Sequence, residues 1–360
     1  MHYIGALAYR EAQRGHVPWL HRAEPRVPSI PRHSTLLTVH LAAGFSLGDP
    51  LGYAYRQVDG LLHLFEHGVI RREVDGVAIH AGFFVDCRDF YDRLRSLPED
   101  QRGKIRMMPV SFTNQLYGDE RGKRAARTDA RFVNAAMKVT LLGGAVSDIT
   151  SSAQEVSGIG GQFNFIEQAF ALDGARSILT LPATRTSKGK TVSNIVWDHP
   201  HESVPRAYRD IIVTEYGIAD LRGQRDEDAV ARMLAITDSR FQNDLLEQAK
   251  SAGKIAGDYR LPKRARQNTP ETVQKWLMPL ELPDFPFGSD FDSEERRLLP
   301  ALGLLSNAQD NTLEMAKLVI DGLRASSRHD LMTRMGLNSP TGLKDRAAAY
   351  ALAGALRRVD

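Results

Sequence analysis

Between Thr35 and Ile236, short apolar runs alternate with segments of helical periodicity, and this constrains the fold more than any other feature of the chain. The apolar runs are Thr35–Leu41 (TLLTVHL), Val77–Phe84, Ile105–Phe112, Phe132–Leu142 (FVNAAMKVTLL), Arg176–Pro182 (RSILTLP) and Asp210–Glu215 (DIIVTE). Between them, Leu61–His67 reads as a helix stopped by Gly68. Arg88–Leu97 carries Phe90, Leu94 and Leu97 at helical spacing before Pro98, and Phe165–Leu172 is closed by Asp173-Gly174. Asp226–Ile236 begins with acids, where the helix dipole favours them. Strands alternating with helices predict an α/β layered fold with a mainly parallel sheet, and strands apolar along their whole length fit a sheet covered on both faces.

The flanks read differently. Residues 1–34 form an extended arm, because Pro18, Pro25, Pro28 and Pro31 break any long helix. The α/β domain is expected over 35–255. A proline-rich segment over 256–292 is expected to wrap the domain, held by Trp276, Phe285 and Phe287. Its basic residues Lys254, Arg260, Lys263, Arg264 and Arg266 suit either a phosphate or, more plainly, a solvated linker. From Ser293 to the end a helical extension is expected, with Ser293 near its cap and Pro300 interrupting it.

Composition excludes several classes. Lys and Arg total 47 against 44 Asp and Glu, a net +3, too even to argue for nucleic acid. No apolar run approaches the roughly 18 residues of a membrane span. The first 30 residues hold seven basic or His residues and no apolar core of a signal peptide, so a cytoplasmic protein is expected. The single cysteine, Cys87, allows no intrachain disulfide. With no motif around it, it reads as a small residue packed at a helix start.

Two segments fit chemistry. In Ser157-Gly-Ile-Gly-Gly-Gln-Phe-Asn-Phe165, the glycines Gly158, Gly160 and Gly161 let backbone approach a ligand closely ahead of a predicted helix. A tight turn uses glycine in the same way. The spacing is neither a P-loop nor a dinucleotide fingerprint. In Val213-Thr-Glu-Tyr-Gly-Ile-Ala-Asp-Leu-Arg-Gly223, a buried strand runs into Glu215 and Gly217, then a turn and a helix. Ligands of open α/β sheets bind beyond the carboxyl ends of strands. The structural alternative is a turn stabilised by pairing of Asp220 with Arg222.

VSGIGGQFNF (156–165), SILTLPAT (177–184), TVSNIV (191–196) and VTEYGIADLRG (213–223), in that order and spacing, resemble the C-terminal half of the acetyl-CoA hydrolase/transferase family of glutamate-nucleophile CoA-transferases. DEDAVARMLAITDSRFQNDLLEQAK (226–250) continues the resemblance, which covers residues 60–255. It implies a CoA-transferase-type α/β fold acting on a CoA thioester, with no permanently bound cofactor or metal. It implies contact with CoA at Gly158, Gly160, Gly161, Gln162, Ser193 and Asn194 and an oxyanion role for Gly217; for hydrolysis, Glu215 and Glu155 are alternative candidate bases, neither forced by the sequence.

The family's nucleophilic glutamate lies in a strand motif that here reads Asn134-Ala-Ala-Met-Lys138-Val-Thr-Leu141, so the resemblance puts Lys138 at that position. A lysine cannot form the acyl anhydride and glutamyl-CoA intermediates of the family's route. Period-2 alternation puts Asn134, Ala136, Lys138 and Thr140 on one face. Lys138 then either faces the cleft as a cation or is paired structurally. The resemblance also implies an amino-terminal α/β half for which residues 1–60 are too few. The site would be completed by a homo-oligomer or a separate amino-terminal half, around an acyl-CoA and a carboxylate acceptor. Two functional readings follow: an acyl-CoA hydrolase or transferase, and a non-catalytic CoA-binding or regulatory module derived from one.

Overall fold

The computed structural model describes the backbone of residues 37–39, 47–48 and 53–57, and residues 59–359 apart from 71, 188, 281–288, 310 and 325–328. The arm expected over 1–34, and the anchors Phe285 and Phe287, lie outside the described residues. The chain divides into two units, Met1–Gly288 and Ser289–Asp360.

The first unit is mixed α/β. Its largest sheet contains β1 (Leu37–Val39), β2 (Leu47–Gly48), β6 (Arg131–Ala135), β9 (Arg176–Thr180), β13 (Ile211–Thr214) and β14 (Gly217–Asp220), in the order β14-β13-β9-β6-β1-β2. The inner pairs β13/β9, β9/β6 and β6/β1 are parallel. Both edges are antiparallel, so the parallel sheet expected from the sequence is confined to the middle. A second sheet, β3 (Tyr53–Gln57), β4 (Ile79–Phe84) and β5 (Ile105–Met107), is parallel throughout. A third combines β7 (Lys138–Thr140), β8 (Ala145–Val146) and β12 (Ile195–Val196), and β10 (Thr184–Ser187) pairs with β11 (Lys190–Ser193) as a hairpin.

Helices α1 (Asp59–Glu66), α2 (Arg88–Ser96), α3 (Glu99–Arg102), α4 (Val110–Asn114) and α5 (Glu120–Ala126) precede β6, and Cys87 stands at the N-cap of α2. After β8, α6 (Gln162–Ala171) lays Phe165 and Ala169 against Phe132 of β6, with the Phe rings 5.5 Å apart. Further on, α7 (Asp226–Ala235) buries Val230, Met233 and Leu234 with Leu179 and Ile212 of the sheet, and α8 (Ser239–Ser251) adds Leu245, Leu246 and Ala249. Removing these side chains from water is the main favourable term holding the layers together, about 1.5–3 kcal/mol for each large aliphatic one.

Three expectations are corrected. Phe132–Leu142 is two strands, not one. Ala136 N–H still donates to Thr180 O (3.0 Å), but Met137 N–H donates to Val146 O (2.8 Å), so the chain leaves the main sheet for the third one between adjacent residues. A single alternating face from Asn134 to Thr140 therefore does not exist. Secondly, Glu215 is followed by a hairpin rather than a βα turn. Thr214 pairs with Gly217 and Ile211 with Asp220, and Arg222 reaches Asp210 instead of pairing with Asp220 by its guanidinium. Thirdly, the 256–292 region is not simply extended. It forms a 3-10 turn at Ala265–Gln267 and α9 (Pro270–Leu277), capped by the Thr269 side chain, with Trp276 exposed.

The second unit is helical: α10 (Ser293–Ala308), α11 (Thr312–Leu323), α12 (His329–Arg334) and α13 (Leu343–Val359). The cap of α10 is Asp292, which forms a capping box with Glu295. Ser293 is already in the first turn, and Pro300 sits inside the helix without ending it. Leu298, Ala301, Leu318, Leu331, Leu352 and Ala355 form its core.

Candidate functional site

The parallel strands β6, β9 and β13 end level with one another, because Ala135 is in register with Thr180 and Thr180 with Val213. Beyond these ends the chain presents Lys138, the Leu181–Ala183 segment and Glu215. A chain of hydrogen bonds fixes them. Gln162 Nε2, at the start of α6, donates to Ala135 O (2.7 Å). Asn194 Nδ2 donates to Pro182 O (2.8 Å), its backbone N–H to Ala183 O (2.8 Å), and its carbonyl accepts from Val139 N–H (3.0 Å). Ala183 N–H donates to Glu215 Oε2 (2.8 Å), and Arg185 Nη1 to Asn194 Oδ1 (2.5 Å). Glu215, Asn194, Gln162 and the backbone beside Lys138 therefore belong to one connected array at the carboxyl edge of the sheet.

The Gly-rich loop reaches this array only at its end. Gly161 is the N-cap of α6 and is buried. A Cβ there would overlap the Asn114 side-chain amide, so any other residue requires that side chain to move. Gly160 has φ +60°, which favours glycine for a different reason. With no side-chain cap, the first turn of α6 keeps N–H groups available to an anion. Gly158 is exposed, with open space where a Cβ would stand. Ser193 is turned away, since its hydroxyl donates to Ile195 O (2.6 Å) and accepts from Ile195 N–H (3.1 Å). Glu155 is exposed and belongs to a bridge with Ile149. Gly217 closes the hairpin opposite Thr214 at φ +152°, outside the range comfortable for a side chain.

Lys138 is half-buried, and its ammonium has no hydrogen bond or ion pair among the described residues. Burial lowers its pKa from the ordinary lysine value, and the positive charge of Arg185 lowers it further. Thr140, two residues on, is structural: its hydroxyl accepts from Gly144 N–H (2.9 Å). Among the described residues, Asn134, 1% exposed, has neither side-chain atom bonded, and the buried Gln162 Oε1 is also without a partner. Buried polar groups left unpaired cost roughly 1–3 kcal/mol each.

Two features were not read from the sequence. One is Arg185. The other is a latch beneath Glu215: Tyr216 OH donates to Asp238 Oδ2 (2.8 Å), and Arg240 donates to both carboxylate oxygens (2.9 and 2.8 Å). Asp238 is fully buried. Burial pushes its pKa up, but bonds from Arg240 and Tyr216 outweigh this and hold it below the usual value, while burial and Asp238 push the Tyr216 phenol up. A carboxyl depressed on folding stabilises the protein above its unfolded pKa of about 3.9 and loses that contribution as pH falls through the lower folded value. The latch is therefore intact at neutral pH. An Asp before a helix signals an N-cap, but nothing local indicates a tyrosine 22 residues earlier.

Among the described residues, no group of three or more His, Cys, Asp or Glu side chains could hold a metal, and no helix is long and apolar enough to cross a membrane.

Residues 87–249 match the family model of the acetyl-CoA hydrolase/transferase C-terminal domain. That span contains every candidate residue named above. A succinyl-CoA:cyclohexane-1-carboxylate CoA transferase of Geobacter metallireducens is 29% identical over 203 residues, covering 55% of this chain and 44% of the relative. A butyryl-CoA:acetate CoA-transferase of Anaerostipes caccae is 28% identical over 203 residues, covering 54% and 43%. Among solved structures, RipA from Yersinia pestis is 25% identical with a TM-score of 0.48, covering 56% of this chain and 44% of that one. The chain thus spans less than half the length of the curated relatives it matches. The matched span runs from α2 into α8 and includes β5 to β14.

Proposed function

We propose that this chain binds an acyl-CoA thioester at the carboxyl ends of β6, β9 and β13 and hydrolyses it rather than passing the acyl group through a glutamyl-CoA intermediate. The observation that carries this reading is the connected array of Gln162, Asn194 and Glu215 at that edge, within the matched domain. The first turn of α6 offers N–H groups to the thioester oxygen or a phosphate. Glu215, with one oxygen fixed by Ala183 N–H, is the base for an attacking water. Gly217 lets the chain reverse directly after Glu215-Tyr216 and so presents the carboxylate. Residues 132–142 contain no Asp or Glu, so that segment offers no carboxylate nucleophile. A homo-oligomer or a separate amino-terminal half would complete the pocket around the acyl chain.

Lys138, unpartnered among the described residues, favours a second reading, a CoA-binding module without turnover. Both readings are tested by incubating the purified chain with acetyl-CoA and following free thiol. Hydrolysis predicts sustained thiol release that falls about 10²–10⁴-fold in Glu215→Gln, the usual worth of a general base. Binding without sustained release selects the module. Sustained release unchanged in Glu215→Gln removes Glu215 from the reaction.

A further inference from the structure

We propose that Lys138 is a site of self-acylation, its amine taking the acyl group of a bound acyl-CoA thioester in a single, stoichiometric event. This rests on the reading that a CoA thioester binds at the carboxyl edge of the sheet.

Several lysines of the first unit show by contrast what is unusual here. Lys104 is held by Glu73 (2.7 Å), Lys250 by Glu247 (3.2 Å) and Lys254 by Asp226 (2.8 Å). The buried Lys123 donates to the carbonyls of Gln115 and Tyr117, both at 2.8 Å. Lys138 is half-buried yet has no such bond among the described residues, and no carboxylate acts on it. Among the described residues the charge felt there is another cation, Arg185, which is tethered through Asn194 to the same backbone that carries Lys138. Partial desolvation beside a second cation is a standard means of making a lysine amine nucleophilic. Consistently, its pKa is lowered. Arg185 is exposed, so water screens its share of the effect, and burial is the larger cause.

Position supplies the rest. Lys138 opens β7 three residues after Ala135, whose carbonyl is held by Gln162 at the N-terminus of α6. On this proposal, an acyl carbonyl bound at that N-terminus has its oxygen among backbone N–H groups and its carbon within reach of the amine. In the step itself, the neutral Lys138 Nζ lone pair forms a bond to the thioester carbon. The C–S bond breaks, and the sulfur leaves as thiolate and takes up the proton that Nζ releases. The products are an N-acyl-lysine and free CoA thiol, with no oxidant or further reactant needed. The amide is stable, so the event occurs once per chain and abolishes the positive charge at this position.

The test is acetyl-CoA added to the full chain at neutral pH, read by intact mass and peptide mapping, with CoA binding measured separately by calorimetry. The expected result is one acetyl group per chain, at Lys138, forming at least about ten times faster than on the exposed Lys190, Lys275 or Lys344 and suppressed by excess CoA. Lys138→Arg should still bind CoA and should lose that fast phase. CoA binding with acetylation spread evenly over exposed lysines would overturn the proposal and leave the binding reading standing. Absence of CoA binding, with acetylation insensitive to CoA, would overturn both.

Discussion

Asp210→Ala is expected to cost the α/β unit about 3–5 kcal/mol, the usual penalty for removing one partner of a buried charge network. Asp210 is 2% exposed and sits just before β13, at the opposite end of the sheet from the candidate site. Its Oδ1 accepts from Arg176 Nε (2.8 Å) and Nη2 (2.6 Å). Its Oδ2 accepts from Arg222 Nη2 (2.5 Å) and Ser177 N–H (2.7 Å). Arg176 also reaches Asp220 (2.5 Å), tying the starts of β9 and β13 to the end of β14. Alanine at 210 would leave two arginines competing for Asp220 and a buried N–H unpaired. The control is Asp228→Ala, which removes a solvent-accessible pair with Arg225 and one of three first-turn acids of α7 and should cost about 1 kcal/mol or less. Denaturant unfolding, with both variants compared at constant slope, reads the difference. Equal losses would mean that the network adds nothing beyond surface charge.

The second large effect is expected in the helical unit, where two glycines have opposite meanings from a third. A Cβ on Gly354 of α13 would overlap the carbonyl oxygen of Leu318 in α11, and one on Gly322 of α11 would overlap that of Tyr350. Those atoms are backbone, so the helices must separate. Gly354→Ala should therefore destabilise the unit by about 1–3 kcal/mol or more, despite the better helix propensity of alanine. Gly303, exposed within α10, has nothing within 4 Å of a built Cβ. Gly303→Ala should stabilise by about 0.5–1 kcal/mol through propensity alone. Thermal unfolding followed by far-UV circular dichroism separates the signs. If both substitutions move the midpoint the same way, the tight α11–α13 approach is wrong.

Much of the α/β layering is legible in local pattern, because periodicity reports which face of an element is buried. Asp226–Ala235 forms the helix its acidic first turn and apolar spacing suggest, and Arg176–Thr180 forms the buried strand its apolar run suggests. What escapes is partner choice. Nothing in FVNAAMKVTLL marks the residue where hydrogen bonding passes from Thr180 to Val146, since that depends on strands far away in sequence. The hairpin after Glu215 turns on Glu-Tyr, without the Asn-Gly or Asp-Gly pair that announces such turns. Arg185 escapes for the same reason: only the folding of β10 against β11 brings it to Asn194. At the site, the four motifs pointed to Gln162, Asn194 and Glu215, which the fold does connect. They also pointed to Gly158 and Ser193, which it leaves in open space and in a closed local turn.

The most direct test of the central claim is a crystal structure of the full chain with CoA. Bound CoA should lie with its thiol end at the carboxyl ends of β6, β9 and β13, against the first turn of α6 and within reach of Glu215. CoA density at the amino ends beside Asp210, or over the basic 254–266 stretch with that edge of the sheet empty, would contradict the account.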